Sequence, residues 1–322
     1  MQHRRLGQTG LKVSVVALGC MAFGRWIDET SSERVFDVAV DAGITLIDTA
    51  DIYGRGMDSG DPTQSGESEK ILGRIMKEKR HRIILATKVN GRVGLGPNDY
   101  GLSRYHIMKT VEDSLQRLRT DVIDLYQVHR FDPQTPIEET LGALDDLIHQ
   151  GKVRYIGCSN YAAWQIAKSR GISTQYGFNK FVSVQPAYSL LVRDIEKELL
   201  PFCESEGVGA IVYSPLARGI LAGKYQVGVA PPAGSRAEMK DRSLVTMLAK
   251  GEYLQRAEKL QEFALQRGWS LPRLALAWVI QRAGVSSAIM GVSKADQLSV
   301  VTNLEDIQLN GEDLAVIDRI CE

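Results

Sequence analysis

Cysteine is scarce in this chain, and what there is stands scattered. Cys20, Cys158, Cys203 and Cys321 include no CxxC pair, and in a chain of 322 residues that spacing reads as reduced thiols in a cytoplasmic setting. Excess charge is missing too: 39 Lys+Arg balance 39 Asp+Glu, so no global field draws nucleic acid or an anionic membrane. There is no run of about 18 apolar residues, which excludes a transmembrane helix and any membrane insertion. The basic start, Met1 to Gly7, lacks the apolar stretch of a signal peptide. His3, His81, His106 and His149 show no metal-ligand spacing, so no metal is expected and each belongs by default on the surface. Internal repeats, low-complexity tracts and linkers are absent as well, and one domain over residues 1–322 is expected.

What is present is an ordinary globular composition, 44% hydrophobic and 24% charged, arranged in a strict alternation. Short apolar runs occur at Val13 to Leu18, Ile44 to Ile47, Ile83 to Ala86, Val122 to Val128, Val153 to Ile156, Phe181 to Val184, Val208 to Val212 and Ala288 to Met290. Such near-continuous runs suit parallel strands buried on both faces. Amphipathic stretches lie between them. Thr30 to Glu33 and Thr135 to Glu138 read as capping boxes, the second with Pro136 at the first helical position, while Gly43 and Gly151 stand where the helices end. Ser103 caps a third stripe of Ile107, Val111, Leu115 and Leu118.

Eight strand-then-helix units predict a closed (β/α)8 TIM barrel, with a short hairpin over Arg5 to Val13 plugging its bottom. A doubly wound sheet is the rival, but Leu18 to Gly24 after the first strand does not match GxGxxG. Arg55 to Gly66 and roughly Val227 to Leu248 break the rhythm and are expected to be long βα loops on the face that builds a barrel active site.

Three successive strands end on ionisable residues: Asp48, Lys88 and His129, with Tyr53 five residues beyond the first. Alone, Asp48 reads as a loop cap and Tyr53 as packing. A lysine finishing an apolar strand, however, requires a partner, because an unpaired buried ammonium is costly. Convergence of four polar groups at strand ends favours catalysis, and carbonyl reduction suits them. The alkoxide formed in that reaction needs a proton, which a tyrosine can give if a cation stabilises its phenolate. Lys88 can be that cation, Asp48 its counter-charge, and His129 a donor that orients the carbonyl.

These motifs resemble those of the aldo-keto reductase superfamily over essentially the whole chain. The matching segments are Asp41-Ala-Gly, Asp48-Thr-Ala-Asp-Ile-Tyr53-Gly, Gly66-Glu-Ser-Glu, Thr87-Lys88, Leu118 to Tyr126, His129, Gly151 to Asn160 and Tyr213 to Gly219. The resemblance implies a tetrad of Asp48, Tyr53, Lys88 and His129, with Tyr53 as proton donor, acting on a small-molecule carbonyl with NADPH/NADP+.

The cofactor residues it implies begin with Met21, and with Ser159, Asn160 and Gln185 at the nicotinamide carboxamide. Tyr213 stacks on the ring, Ser214, Leu216, Gly219 and Lys224 form the pyrophosphate loop, and Gly291, Ser293, Lys294 and Gln297 hold the adenosine end. Ser293 and Lys294 would take a 2′-phosphate at a helix N-terminus, which favours NADPH over NADH. Relatives follow Gln-Leu with a Glu-Asn pair near the adenine, whereas this chain has Val300 and Val301 there. Trp26, Arg130 and Phe131 are candidates for the substrate pocket.

The loop Gly101 to Ile107 and the run Ser214 to Tyr225 look most like a branch of bacterial reductases and potassium-channel beta subunits. Those subunits carry Asn where this chain has His129, so the histidine leans toward a catalyst. The alternatives are a cofactor-sensing subunit with little turnover and a barrel enzyme in which Lys88 forms a Schiff base.

Overall fold

The computed structural model describes residues 1–226, 229–231, 237–238, 241–249 and 251–322. Two short strands, β1 (His3–Arg5) and β2 (Lys12–Ser14), pair antiparallel as the expected hairpin. The barrel strands follow as β3 (Val16–Gly19), β4 (Leu46–Asp48), β5 (Ile84–Val89), β6 (Ile123–Val128), β7 (Val153–Ser159), β8 (Ser183–Gln185), β9 (Gly209–Tyr213) and β10 (Val285–Gly291). Each pairs in parallel with the next, and β10 closes onto β3. This is the (β/α)8 TIM barrel that the alternation predicts.

The helices are α1 (Glu29–Asp41), α2 (Gly56–Ser59), α3 (Glu67–Ile75), α4 (Arg104–Leu118), α5 (Ile137–His149), α6 (Ala163–Tyr176), α7 (Leu199–Glu206), α8 (Arg242–Ala249), α9 (Glu252–Gln266), α10 (Leu271–Ile280) and α11 (Gly311–Cys321). Among the described residues none is long and apolar enough to cross a membrane.

Two apolar cores result. Between strands and helices lies a large one containing Phe36, Val111, Leu144 and Trp278, the inward stripes of α1, α4, α5 and α10. Inside the barrel Ala17, Leu46, Ala86, Leu125, Ile211 and Ile289 meet Leu6 and Val13 of the hairpin. The hairpin thus closes the barrel bottom. Gln8 N–H donates to the Gly207 carbonyl at 2.9 Å. Gly7 has φ +55°, and a Cβ on it would stand 2.4 Å from the same oxygen, so the close approach requires glycine.

Several local expectations change. The run Val13 to Leu18 is not one strand, since Lys12–Ser14 belongs to the hairpin and Val16–Gly19 to the barrel. Ser14 makes the break possible: its hydroxyl donates to the Val16 carbonyl at 2.6 Å and accepts from Thr45 N–H at 2.9 Å. Neither capping box forms as read. Asp28 caps α1 by accepting from Ser31 N–H at 2.8 Å, which leaves Thr30 inside the helix. Pro136 is itself the N-cap residue of α5, with ψ 134°, and the Thr135 hydroxyl donates to Asp132 instead.

His106 is not on the surface either. It is fully buried on α4, with Thr110 Oγ1 3.4 Å from its ring, because the 91–99 loop folds back over that face. The stretch Arg55 to Gly66 holds α2 and a 3-10 turn, Pro62–Gln64, so it is folded rather than open loop. The second irregular stretch lies partly outside the described residues, and α8 occupies its end.

Candidate active site

Parallel register brings the four predicted groups to one end of the barrel. Asp48 pairs with Ala86, and Lys88 with Gln127, so the tips of β4, β5 and β6 rise together. Past Asp48 the chain turns sharply, with Tyr53 N–H bonded to the Ala50 carbonyl, and Ser68 N–H of α3 holds the Tyr53 carbonyl at 3.1 Å. Tyr53 is thereby returned over the strand it left.

Lys88 is fully buried, and its ammonium has three acceptors: Asp48 Oδ1 at 2.5 Å, the Thr49 carbonyl at 2.8 Å and the Tyr53 hydroxyl at 3.3 Å. Three donor hydrogens match three acceptors, which is how a buried ammonium remains tolerable. Burial opposes its charge, but Asp48 and Tyr53 outweigh that cost and hold its pKa above the ordinary lysine value. Burial raises the Tyr53 pKa, with Lys88 pulling against it, so the phenol keeps its proton at neutral pH.

The His129 ring meets Tyr53 edge-on, 5.8 Å between centroids. Burial drives the His129 pKa well down, with Lys88 and Arg130 adding to the effect, so the imidazole is neutral and carries one N–H to donate. Its Nδ1 is buried with no partner. Such a polar edge beside a phenol suits a hydrogen-bonding ligand.

A second cluster adjoins the first. Gln185 Nε2 donates to Asp48 Oδ2 at 2.8 Å and so joins the two. The Ser159 hydroxyl donates to the Gln185 carbonyl at 2.8 Å, and Asn160 Nδ2 donates to Ser159 Oγ and to the His129 carbonyl, each at 3.0 Å. The Tyr213 hydroxyl donates to Asn160 Oδ1 at 2.9 Å, which leaves the half-buried ring fixed at the end of β9. Beyond it, Ser214, Ala217, Arg218 and Gly219 all have positive φ, with values of 59°, 47°, 58° and 105°. Three non-glycine residues in that region store strain, and the turn is held from within, Ala217 N–H donating to the Ser214 carbonyl and Gly219 N–H to the Leu216 carbonyl, each at 2.9 Å. Leu216 lies within this turn, half-buried, and Lys224 follows it, exposed.

Gly291 ends β10, the neighbour of β9, so Ser293, Lys294 and Gln297 lie on the same barrel face. Gln297 Oε1 accepts from Ser293 N–H at 2.9 Å and from Lys294 N–H at 3.3 Å. Those backbone donors are therefore engaged, and the following element is a 3-10 helix, Ala295–Val301. Val301 is buried and Val300 packs against the core.

Met21 is half-buried just past β3. Trp26 lies on the same loop with the Arg25 guanidinium 4.2 Å above its ring. Arg130 is exposed beside His129, while Phe131 packs edge-on against Tyr161 and Trp164.

Gln127 is the site residue that the sequence reading passes over. It is fully buried, and its Nε2 donates to Asp48 Oδ2 at 3.2 Å. The signal was available: Gln127 precedes His129 by two, and alternate residues of a strand share a face.

A family model described as "Aldo/keto reductase family" matches residues 15–322. "Uncharacterized oxidoreductase YrpG" of Bacillus subtilis is 36% identical, over 99% of this chain and 96% of its own length. "Versiconal hemiacetal acetate reductase" of Aspergillus parasiticus is 32% identical, over 99% of this chain and 96% of its own. "Putative voltage-gated potassium channel subunit beta" of Schizosaccharomyces pombe is 37% identical, over 98% of this chain and 92% of its own. The match begins before β3, runs to the last residue and takes in every strand that contributes to the site, so this chain belongs to the aldo/keto reductase family.

Proposed function

We propose that this protein reduces an aldehyde or ketone to an alcohol at the expense of NADPH, with Tyr53 as the proton donor. The observation that carries the reading is the Lys88 ammonium lying between Asp48 Oδ1 and the Tyr53 hydroxyl. A buried phenol with a raised pKa holds its proton until needed, and the adjacent ammonium steadies the phenolate left behind. Asp48 keeps Lys88 charged and in place, while Gln127 and Gln185 hold its other oxygen. His129, neutral, donates a hydrogen bond to the carbonyl oxygen and orients it toward Tyr53.

The residues present fit a reduced nicotinamide dinucleotide, which when bound supplies the hydride. Tyr213, held flat by Asn160, offers a stacking face. Ser159, Asn160 and Gln185 offer amide and hydroxyl partners for a carboxamide, and the Ser214 and Lys224 side chains, before and after the strained turn, would meet a pyrophosphate. Ser293 and Lys294 would meet a 2′-phosphate through their side chains, because Gln297 occupies their backbone N–H groups. Met21, Leu216, Gly219, Lys224 and Gly291 complete the surface assigned to the cofactor. Arg130 and Trp26 remain the substrate candidates, whereas Phe131 acts through its packing on Tyr161.

The test is NADPH binding by fluorescence together with NADPH oxidation over a panel of carbonyls, for the wild type and Tyr53→Phe. The variant should bind NADPH normally and lose about 10²- to 10⁴-fold in turnover, the range for a missing general acid. Near-normal turnover in the variant would overturn the assignment. Binding by the wild type without turnover would support the second reading, a cofactor-sensing subunit, which the name of the Schizosaccharomyces pombe relative favours.

A further inference from the structure

Two loops stand beside the Tyr53 turn, each with its own backbone framework. In the loop after β3, the Ala22 carbonyl accepts from Arg25, Trp26 and Ile27 N–H at 3.2, 2.9 and 3.1 Å, and Gly24 N–H returns to the Ile27 carbonyl at 2.9 Å. In the loop after Tyr53, α2 and the following 3-10 turn fold back so closely that a Cβ on Gly54 would lie 2.7 Å from the Gln64 carbonyl oxygen. The bases of the two loops touch where Gly24 lies on Glu67, with 2.5 Å between a Cβ placed there and Glu67 Cγ.

The tips meet through Arg25. Its Nε donates to Asp58 Oδ2 at 2.8 Å, and its second nitrogen donates to Asp58 Oδ1 at 2.5 Å. The third nitrogen reaches Met57 Sδ at 3.6 Å. The same guanidinium lies 4.2 Å above the Trp26 ring. This side chain is only 8% exposed, whereas that of Asp58 is 50% exposed. A planar fork that is bidentate to a carboxylate and flat on an indole fixes distance and orientation together, which lysine cannot do. Surface pairs of the ordinary kind contribute little, but a nearly buried guanidinium left without its carboxylate is costly.

We infer that Arg25 and Asp58 form a latch between these loops that positions Trp26 as a wall of the substrate pocket, so that the pair sets affinity for carbonyl compounds with a flat apolar substituent. Arg25 and Asp58 are positioning residues: they touch neither Tyr53 nor the reacting atoms and act through the indole. The inference rests on the reductase reading above. A compound with nothing beyond its carbonyl to place against the wall is indifferent to the latch.

The test compares 4-nitrobenzaldehyde with methylglyoxal as substrates, and also measures binding of 4-nitrobenzaldehyde calorimetrically to protein saturated with NADP+. Asp58→Ala should raise KM for 4-nitrobenzaldehyde roughly tenfold or more, the scale of a lost apolar contact in a pocket, with kcat and the methylglyoxal KM unchanged. Trp26→Ala should raise the 4-nitrobenzaldehyde KM at least as far as Asp58→Ala does, and Asp58→Glu should largely restore wild-type KM. Since Asp58→Ala strands the guanidinium, the double variant Arg25→Met/Asp58→Asn is measured beside it and should show the same split. Equal changes for both carbonyls, or wild-type KM and binding in the double variant, would overturn the latch. If the wild type binds the aldehyde but reduces neither compound, the reductase reading fails, and the binding shift still decides the latch.

Discussion

Asp51 sits in an environment hostile to its charge. It is fully buried, and neither carboxyl oxygen has a side-chain hydrogen-bond partner. Glu69, close by, takes the available partners: its carboxylate accepts from Thr87 Oγ1 at 2.6 Å and from Arg117 Nε at 2.7 Å. Burial drives the Asp51 pKa well above the ordinary aspartate value, and Glu69 adds to it, so the fold favours the neutral acid over the carboxylate. A carboxyl whose folded pKa is raised favours folding below its unfolded value of about 3.9, and that contribution is lost as pH climbs toward the folded pKa. Asp51→Asn mimics the neutral acid and should flatten the decline. Melting temperatures from about pH 4 to pH 9 should therefore favour the variant increasingly as pH rises, and parallel curves would sink the idea.

The same scale shows what the sequence concealed. Lys88 was legible because an ammonium at the end of an apolar strand has to be paired, and Asp48 and Tyr53 were the groups that motif order offered. Gln127 shares the strand face of His129, but a glutamine carries no charge that demands explanation, so spacing alone gives it no role. Its part appears only when β6 lies against β5 and its amide meets Asp48.

At the scale of elements, periodicity located the helices but not their first residues. The α1 stripe of Val35, Phe36, Ala39 and Val40 is buried as a helical pattern requires. Its cap, however, is Asp28, two residues ahead of the Thr30 that a capping box suggests. Several polar residues in a row, Asp28 to Ser32, offer competing caps, and the entry path from the loop after β3 decides among them. Asp28→Ala should lower the denaturant midpoint measurably, while Thr30→Ala should leave it nearly unchanged. Equal losses in denaturant titrations would return the cap to Thr30. His106 is an instance of the same rule: a face that looks polar on the helix alone is covered by the 91–99 loop.

At the scale of the whole molecule, the barrel needs its hairpin. Leu6 and Val13 belong to the apolar cluster inside the barrel, so the interior is filled from below by residues outside the eight strands. Leu6→Ala should destabilise the fold by about 2–5 kcal/mol, as buried leucine truncations do, and lower the melting temperature. Because the candidate site lies at the opposite end of the strands, the folded variant should bind the proposed cofactor, NADPH, as the wild type does. A loss of affinity at temperatures where the variant remains folded would show that the hairpin bears on the site.

By itself the sequence determined the architecture and the ingredients of the candidate site. Eight buried apolar runs alternating with amphipathic helices leave one economical closure, and Asp48, Lys88 and His129 mark strand ends by standing where apolar runs stop. Those are local signals, written in periodicity and in the cost of burying charge. Tertiary structure alone decided which groups meet. Lys88 between Asp48 and Tyr53, Gln185 joining the two clusters, Arg25 across the loops and Asp51 stranded without side-chain partners each depend on strand register and loop paths. Contacts between residues far apart in the chain are set by how the barrel closes, and no pattern within a short segment records that.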